Sequence, residues 1–246
     1  MKIGFIGSGN MARAIALGLR EPATFSDSGS GRAAELARLT GGTAARPINV
    51  GAEAEFLFLC HKPAQLTAIA EELGEFSGVL ISVLAATSLQ SLRDAYPNAK
   101  VLRIMPNTPV EFNAGVVCLA AESDDSAKAD ELLARLGDLV RLPEAEFEVA
   151  TAVGGCAPAF FALFAQALRD EAITRGMAAE TANRIVGKTL SGTAALLDDN
   201  QLDTETAIRA VASPGGLTEK ALQSFDESDL AGAVKRAVAT VLGESV

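Results

Sequence analysis

Along residues 1–146, short apolar runs alternate with segments whose apolar positions recur at helical spacing. The runs predict strands at Lys2–Ile6, Ala23–Ser26, Ala54–Cys60, Gly78–Val83, Lys100–Met105 and Gly115–Ala120, with a short last strand at Leu139–Leu142. The segments between several of them predict helices at Asn10–Arg20, Gly31–Leu39, Ala64–Leu73, Leu89–Ala95 and Asp125–Leu136. Because the strands are apolar throughout, we expect helices on both faces of the sheet. This order predicts an α/β fold with a doubly wound, mostly parallel sheet.

The pattern changes after Pro143, where Ala- and Leu-rich helical stretches follow and no further strand is predicted. Breaks are expected at Gly176, near Asp198–Asp203 and at Ser213–Gly216. The stretch Ala159–Arg175 is apolar on nearly every face, as in a helix buried within a domain or between subunits. A tail of about 100 residues is small to enclose such a helix, which favours a helical dimer interface. We therefore predict two domains, 1–146 and 147–246.

Composition and charge narrow the class of protein. The chain has 246 residues, of which 49% are hydrophobic and 21% charged, and a net charge of −10. The apolar content is sufficient for a hydrophobic core. The negative net charge argues against binding to nucleic acid or to an anionic membrane, because both are negatively charged. Apolar stretches such as Phe160–Ala165 are far shorter than the ~20 residues of a spanning helix, and the first residues predict a strand rather than a signal peptide. These features predict a cytoplasmic protein without nucleic-acid or membrane partners.

Metal ligands are scarce. The chain has one histidine, His61, and the cysteines Cys60, Cys118 and Cys156 are far apart and lack C-x-x-C spacing. A Cys/His metal site would need all four residues, although Cys60 and His61 are adjacent in an apolar run. Buried free thiols in a reducing compartment are the simpler interpretation, and no metal site is predicted.

The first predicted strand leads into a G-x-G-x-x-A motif formed by Gly7, Gly9 and Ala12 at the start of a predicted helix. In such a motif the first glycine allows a tight turn, the second lets the backbone approach a diphosphate, and the small third residue lets the helix pack close to the strand. The helix N-terminus then attracts the diphosphate. Because the motif follows the first strand of an alternating pattern, it predicts a Rossmann-type dinucleotide-binding domain.

The second strand is expected to end where the adenosine ribose of a dinucleotide would lie. Asp27, twenty residues after Gly7, suits a ribose 2′-hydroxyl and hence NAD. Arg32 lies in the same loop and suits a 2′-phosphate, hence NADP. A solvated turn in which Ser30 caps the next helix would also explain part of this loop. The sequence leaves NAD and NADP open.

Later motifs carry a resemblance to one family. They are Leu59–Pro63 (L-C-H-K-P), Arg103–Pro109 (R-I-M-P-N-T-P), Ala152–Phe160 (A-V-G-G-C-A-P-A-F) and Val211–Thr218 (V-A-S-P-G-G-L-T). With these motifs, essentially the whole chain resembles the pyrroline-5-carboxylate reductases, and M-P-N-T-P and S-P-G-G-x-T are the most specific strings. The resemblance implies a nucleotide-binding domain followed by an all-helical C-terminal dimerisation domain. Its helices would interleave with those of a second subunit in a homodimer, which in this family often forms rings of five dimers.

The resemblance also implies an activity and a set of site residues. Members of the family reduce the C=N bond of 1-pyrroline-5-carboxylate, a cyclic imine carboxylate, to L-proline with NADPH or, less often, NADH. The expected cofactor-binding residues are Ile6, Gly7, Ser8, Gly9, Asn10, Met11, Cys60, His61, Lys62, Pro63, Met105, Pro106 and Asn107, together with Asp27 and Arg32. The expected substrate-binding residues are Ser213, Gly215, Gly216, Leu217 and Thr218. Thr218 is the expected catalytic residue, close to the imine nitrogen.

The substrate loop also has a physical rationale. Ser213 is expected to cap a helix whose first residue is Pro214, with Gly215 and Gly216 leaving N–H groups accessible. Such a helix start offers hydrogen-bond donors and a partial positive charge to a carboxylate. An ordinary capped helix start is the alternative interpretation of these residues taken alone.

The sequence departs from the family pattern at several polar positions. Cys156 and Phe160 lie in the string that corresponds to S-G-S-G-P-A-Y, Leu217 stands where the family has a threonine, and His61 replaces a small apolar residue. The alternatives are a reductase of a related cyclic imine and a non-catalytic nucleotide-binding regulator. A hydroxyacid dehydrogenase would need a lysine on the long central helix, and Ala159–Arg175 has none. A deazaflavin-dependent or metal-reducing oxidoreductase would share the N-terminal domain but not the helical tail.

Overall fold

The computed structural model describes residues 1–199 and 203–244. The chain divides into two compact units, Met1–Pro158 and Ala159–Val246. The division falls inside a long helix, Ala157–Thr174. The domain boundary between residues 146 and 147 stays a prediction.

The first unit is built on one eight-stranded sheet. Its strands are β1 Ile3–Ile6, β2 Ala23–Ser26, β3 Thr43–Ala44, β4 Phe56–Leu59, β5 Val79–Ser82, β6 Lys100–Pro106, β7 Gly115–Ala120 and β8 Gly137–Leu142. They lie in the order β3-β2-β1-β4-β5-β6-β7-β8. Neighbouring strands are parallel except β6 and β7, which are antiparallel. The predicted α/β fold with a mostly parallel sheet is confirmed.

Helices cover both faces of this sheet. They are α1 Asn10–Leu19, α2 Arg32–Thr40, α3 Pro47–Glu53, α4 Leu66–Leu73, α5 Leu89–Ala95, α6 Ala127–Ala134 and α7 Phe147–Ala150. On one face, Phe5 stacks between Phe25 and Phe58 of the neighbouring strands, with ring centroids 5.1 and 4.8 Å away. Leu57 and Leu59 belong to the core on the other face, because successive side chains of a strand point to opposite sides.

Two short elements were not predicted from the sequence. β3 has only two residues, both exposed, and it pairs with β2 at the edge of the sheet. α3 begins with Pro47 and buries only Val50. Neither element has the apolar periodicity on which a sequence-based assignment depends.

The register of the central strands determines which residues meet. Ile6 at the end of β1 pairs with Ser26 of β2 and with Leu59 of β4. The chain leaves all three strands at the same level, and backbone hydrogen bonds continue past the strand ends from Gly7 N to Ser26 O (3.0 Å) and from Cys60 N to Ile6 O (2.7 Å). The loops that follow β1, β2 and β4 therefore share one edge of the sheet.

The second unit is helical. Its elements are the greater part of α8 Ala157–Thr174, α9 Ala179–Asp199, α10 Thr204–Val211, α11 Leu217–Glu227 and α12 Leu230–Leu242. Residues 159–199 and 203–244 contain no strand, as expected. Phe164 of α8 contacts Phe225 of α11, with ring centroids 5.8 Å apart. The predicted break at Gly176 is present, with φ +95°, whereas the break expected near Asp198–Asp203 includes residues 200–202, outside the described residues.

The helix α8 exposes large apolar side chains in the single chain. Phe161 is 61% exposed and Leu163 66% exposed. The helical run Glu144–Thr174, which contains α8, is long and apolar enough to cross a membrane by length and composition, and an 18-residue window within it has a mean hydropathy of 1.6. The expectation of no such helix is wrong because it considered only stretches like Phe160–Ala165. The same length and apolarity also suit a helix covered by a second subunit.

Candidate active site

The carboxyl ends of β1, β2 and β4 open onto a cavity of about 560 Å³. The residues that line it come from the loops after these strands, from α4 and from the start of α3: Ile6, Gly7, Ser8, Gly9, Ser26, Asp27, Ser28, Ser30, Arg32, Pro47, Cys60, His61, Lys62, Gln65, Ile69 and Glu72. Many of the predicted cofactor-binding residues are thus together. The others, which do not line this cavity, are Asn10, Met11, Pro63, Met105, Pro106 and Asn107.

The two glycines of the fingerprint have different surroundings. Gly7 has φ +96°, and a Cβ atom there would lie 2.6 Å from the carbonyl carbon and oxygen of Cys60 and from the amide nitrogen of His61. Gly9 has φ −78°, and a Cβ atom there would have no protein atom within 4 Å. Gly7 is therefore required by the packing of β1 against β4, whereas Gly9 leaves open space beside the cavity.

The helix α1 begins next to this open space. Gly9 is its N-cap residue and has no side chain to accept a hydrogen bond. The amides of Asn10, Met11 and Ala12 have no acceptor among the described residues. Free amides and the positive end of the helix dipole together attract an anion. The residues present therefore fit the diphosphate of a dinucleotide, which would fill the space that a side chain at position 9 would take.

Small hydroxyl side chains hold the fingerprint turn in place. Ser8 is buried, and its hydroxyl donates to the carbonyl of Ser26 at 2.9 Å. The hydroxyl of Ser26 donates in turn to the carbonyl of Phe5 at 3.3 Å. The side chain of Ser8 is therefore committed to the fold, which leaves its backbone as the part that faces the cavity.

Asp27 organises the loop that follows β2. Its carboxylate accepts hydrogen bonds from the Gly29 amide (2.8 Å), the Ser30 hydroxyl (2.8 Å) and the Ala33 amide (2.9 Å). The Ala33 amide, opposed by slight burial and helped by Ser30 and Gly29, lowers the pKa of the Asp27 carboxyl. Ser30 was interpreted as the cap of the next helix, but the N-cap of α2 is Gly31, and Asp27 accepts from its first turn. The Ser30 hydroxyl accepts only a long hydrogen bond, at 3.5 Å, from the Arg32 amide.

Two cations border the same cavity. Arg32 and Lys62 both line it, and neither forms an ion pair with a carboxylate in the part of the chain that the structure describes. Glu72 contributes the opposite charge on the α4 side. The lining therefore carries two cations, Arg32 and Lys62, and two carboxylates, Asp27 and Glu72, and the lowered pKa of Asp27 keeps its carboxylate charged.

The loop after β4 places a thiol and an imidazole beside Gly7. Burial raises the pKa of the Cys60 thiol, which is therefore a neutral, unreactive group. The Nδ1 atom of His61 lies 2.9 Å from the carbonyl oxygen of Lys62, whereas its Nε2 atom is buried without a hydrogen-bond partner among the described residues. Burial lowers the pKa of His61, and the contact with Lys62 opposes this shift.

We expect His61 to titrate below the ordinary histidine pKa of about 6.5. Because the folded state disfavours the charged ring, unfolding takes up a proton, and the free energy of unfolding should decrease as the pH falls through 6.5. Since the chain has one histidine, proton NMR of the imidazole reports this titration directly. A midpoint at or above that of the unfolded chain would contradict the burial of the ring.

The other predicted cofactor residues lie at the end of β6. The side chain of Asn107 donates to the carbonyl of Gly154 at 3.2 Å and accepts from the Val116 amide at 3.0 Å. The thioether of Met105 lies against Gly154 and Gly155, where a Cβ atom would be 3.4 Å from Cε and 3.1 Å from Sδ. The two glycines belong to a π-helical turn, Thr151–Gly155, a feature that is frequent at functional sites. Asn107 and Met105 thus support this turn.

The loop Ser213–Gly216 does not begin the helix as predicted. The Gly216 amide donates to the Ser213 carbonyl at 2.9 Å, and Gly215 has φ +73°. Proline second and a left-handed glycine third are typical of a type II β-turn. The helix α11 begins only at Leu217, with Gly216 as its N-cap. The expectation that Ser213 caps the helix and Pro214 is its first residue is wrong, because the glycine allows the chain to turn before the helix starts.

The first turn of α11 carries three contrasting side chains. Leu217 is 87% exposed. The hydroxyl of Thr218 has no hydrogen-bond partner among the described residues. The carboxylate of Glu219 accepts a hydrogen bond from the Gly215 amide at 2.7 Å. An amide that the sequence predicts for a substrate carboxylate is therefore occupied by a carboxylate of the chain itself.

Some residues of the cavity and of the loop before α11 were not predicted from the sequence. In the cavity these are Pro47, Gln65, Ile69 and Glu72. The position of α4 directly after β4 is a signal that could have indicated Gln65, because loops and helix starts at this edge line the ligand crevice. Glu219 follows the S-P-G-G string closely in sequence, but only the turn geometry brings its carboxylate to Gly215.

Comparison with known families assigns the two parts of the chain differently. Residues 144–245 match the family model described as pyrroline-5-carboxylate reductase dimerisation, and residues 2–86 match the one described as NADP oxidoreductase, coenzyme F420-dependent. A deazaflavin-dependent oxidoreductase was expected to share the N-terminal domain, and the matched residues 2–86 lie within that part of the chain. The C-terminal segment is a dimerisation region of the reductase type.

Full-length relatives agree with this assignment. The chain is 31% identical to the pyrroline-5-carboxylate reductase of Haemophilus influenzae over 259 residues, covering 99% of this chain and 96% of the relative. It is 30% identical to that of Synechocystis sp. over 252 residues, covering 97% and 94%.

Solved structures share the fold. The 1-pyrroline-5-carboxylate reductase of Streptococcus pyogenes matches with a TM-score of 0.88 and 28% identity, covering 99% of this chain and 97% of the other. The Plasmodium falciparum pyrroline carboxylate reductase, solved with NADP bound, matches with a TM-score of 0.86 and 20% identity, covering 98% and 95%; at that identity it supports the fold alone. With full-length relatives at this level of identity, the chain belongs to the pyrroline-5-carboxylate reductase family.

Proposed function

We propose that this protein reduces the C=N bond of 1-pyrroline-5-carboxylate to L-proline with NADPH, the last step of proline biosynthesis. The observation that carries the proposal is the full-length similarity to pyrroline-5-carboxylate reductases, which includes both the nucleotide-binding and the helical part of the chain. The open space beside Gly9 and the free amides at the start of α1 support binding of a dinucleotide cofactor. A cytoplasmic location stays a prediction.

The nicotinamide dinucleotide supplies the hydride when it is bound. The chain holds it through the residues that line the cavity and through the amides of Asn10 and Met11. Met105, Pro106 and Asn107 at the end of β6, with Pro63, form the wall expected beside the nicotinamide. The protein's task is to hold the cofactor and the imine in a fixed orientation and to exclude water. The fixed orientation by itself removes a large part of the barrier to hydride transfer.

The preference for NADP over NAD is inferred from which side chains of the ribose loop are already engaged by the protein. Asp27, the residue suited to an NAD ribose, already accepts hydrogen bonds from its own loop. Arg32 borders the cavity without a carboxylate partner among the described residues and is free to bind a 2′-phosphate. NAD remains the alternative cofactor, because a ribose hydroxyl would also fit this loop.

Replacing Arg32 with alanine is expected to weaken NADPH binding about tenfold, or about 1.4 kcal/mol, and to leave NADH binding almost unchanged. Dissociation constants for both cofactors, measured by calorimetry, test this difference. Arg38→Ala removes a cation from the exposed side of the same helix and serves as the matched control. Equal losses for the two cofactors would mean that Arg32 does not contact the 2′-phosphate.

The substrate carboxylate is assigned to the loop formed by Ser213, Gly215, Gly216 and Leu217, and the imine nitrogen to Thr218. The amides of Gly215 and Gly216 donate to Glu219 and Ser213 in this structure. The amides of Leu217 and Thr218, in the first turn of α11, have no acceptor among the described residues and are donors that a carboxylate accepts strongly. The free hydroxyl of Thr218 is suited to hydrogen-bond the ring nitrogen and to help supply a proton as the hydride arrives. The carboxylate and the nitrogen then fix the orientation of the ring.

The dimerisation region implies a homodimer, and rings of five dimers are the further assembly that the family resemblance suggests. The support within this chain is the exposure of Phe161, Leu163 and neighbouring apolar side chains of α8, a patch that soluble monomers rarely leave uncovered. Light scattering at micromolar concentration is expected to give a mass of at least two 25.3 kDa chains. A stable monomer would contradict the proposed assembly.

The activity is tested by following NADPH oxidation with racemic pyrroline-5-carboxylate. Turnover that forms L-proline supports the proposal. Tight NADPH binding without turnover of any cyclic imine would favour a nucleotide-binding regulator. Turnover of a different cyclic imine alone would assign the activity to a related substrate.

A further inference from the structure

Glu219 places a carboxylate on the loop that we assign to the substrate carboxylate. Its Oε2 atom accepts the hydrogen bond of the Gly215 amide at 2.7 Å. Gly215 is the third residue of the β-turn Ser213–Gly216 and has the left-handed conformation, so its amide points in a direction that the turn fixes. The chain thus already satisfies one of the donors that the proposed substrate would use.

The charge of Glu219 is not neutralised nearby. The ion pairs of the described residues do not include Glu219, and its hydrogen bond to Gly215 is made by a backbone N–H. A second carboxylate that approached the same amide would meet this charge at close range. Like charges a few ångströms apart repel each other appreciably even where water partly screens them.

We propose that Glu219 is a specificity-determining residue that competes with carboxylate-bearing substrates for the Gly215 amide. This inference rests on the proposed function. For an anionic imine to bind, the Glu219 side chain must leave Gly215. A cyclic imine without a carboxylate does not use this donor and is not affected. Glu219 therefore raises the KM for 1-pyrroline-5-carboxylate relative to 1-pyrroline.

The Glu219 side chain also stabilises the conformation of the loop. In the absence of substrate, the hydrogen bond ties the first turn of α11 to the β-turn before it. Glutamine at position 219 keeps an oxygen that can accept the same hydrogen bond but lacks the charge. The Gln variant therefore separates repulsion from the support of the loop, whereas alanine removes both.

The experiment compares Glu219→Gln with the wild-type protein on both imines at saturating NADPH. We expect kcat/KM for 1-pyrroline-5-carboxylate to rise about tenfold, through a lower KM, and kcat/KM for 1-pyrroline to stay constant. Glu227→Gln makes the same change of net charge at the other end of α11 and should change neither. An equal change for both imines, or no change for the carboxylated one, would overturn the proposal.

A binding measurement keeps the inference separate from the activity. The dissociation constants of L-proline and of pyrrolidine are measured by calorimetry in the presence of NADP⁺, for the wild type and for Glu219→Gln. Tighter binding of L-proline alone supports the role of Glu219, whether or not the protein turns over either imine. Absence of turnover in both proteins would reject the proposed function, and unchanged binding of L-proline would reject the role of Glu219.

Discussion

Replacing Gly9 with valine is expected to weaken NADPH binding at least 100-fold, or about 2.7 kcal/mol, while the chain remains folded. A Cβ atom at this position meets no protein atom within 4 Å, and the backbone there has a φ of −78° that any L-residue adopts. The two methyl groups would project beside the free amides of α1, where we place the diphosphate. Calorimetry with NADPH and thermal denaturation of the unliganded variant measure the two effects.

Gly7→Ala is the matched control, with the opposite expected outcome. Its φ of +96° disfavours alanine, and the added Cβ atom would lie 2.6 Å from the backbone of Cys60 and His61. We expect a loss of about 2 kcal/mol or more in the free energy of unfolding, even without cofactor. If Gly9→Val folded normally and bound NADPH as tightly as the wild type, the diphosphate would have to lie elsewhere.

Replacing Thr218 with alanine is expected to lower kcat/KM for 1-pyrroline-5-carboxylate roughly 10- to 200-fold, or about 1.5–3 kcal/mol. The hydroxyl lies in the first turn of α11 and has no partner among the described residues, so it is available to the imine nitrogen. Leu217 beside it is apolar and cannot take over this hydrogen bond. The affinity for NADPH should barely change, because the cofactor contacts assigned above belong to the other part of the chain. Steady-state kinetics and calorimetry give both values.

Thr218→Ser tests which part of the side chain matters. Serine keeps the hydroxyl and loses the methyl group, so most of the activity should remain. Wild-type turnover by the alanine variant would reduce Thr218 to an ordinary residue of the helix start, and the proton would have to come from water. Equal losses in the serine and alanine variants would indicate that the methyl group packs against the substrate.

The sheet could be predicted from the sequence because its strands are apolar and lie near one another along the chain. Ala23–Ser26 and Gly115–Ala120 have the predicted bounds. The antiparallel pairing of β6 with β7 was not predicted, since parallel and antiparallel partners of a buried strand have the same apolar composition. The strand Thr43–Ala44 was missed because its two exposed residues are held by pairing with β2, a contact that no local pattern records.

The sequence alone determined that a glycine-rich turn lies between β1 and α1, and it predicts a dinucleotide site there, since strand, glycines and helix follow one another in the chain. Only the tertiary structure distinguishes Gly7, which packs against the loop after β4, from Gly9, which leaves room for a ligand. Only the tertiary structure, likewise, shows that Asp27 accepts hydrogen bonds from its own loop and that Glu219 accepts the hydrogen bond of the Gly215 amide. Residue types specify which groups can donate or accept hydrogen bonds. Which donor meets which acceptor depends on backbone angles and on segments distant in sequence, and these are fixed only when the chain has folded.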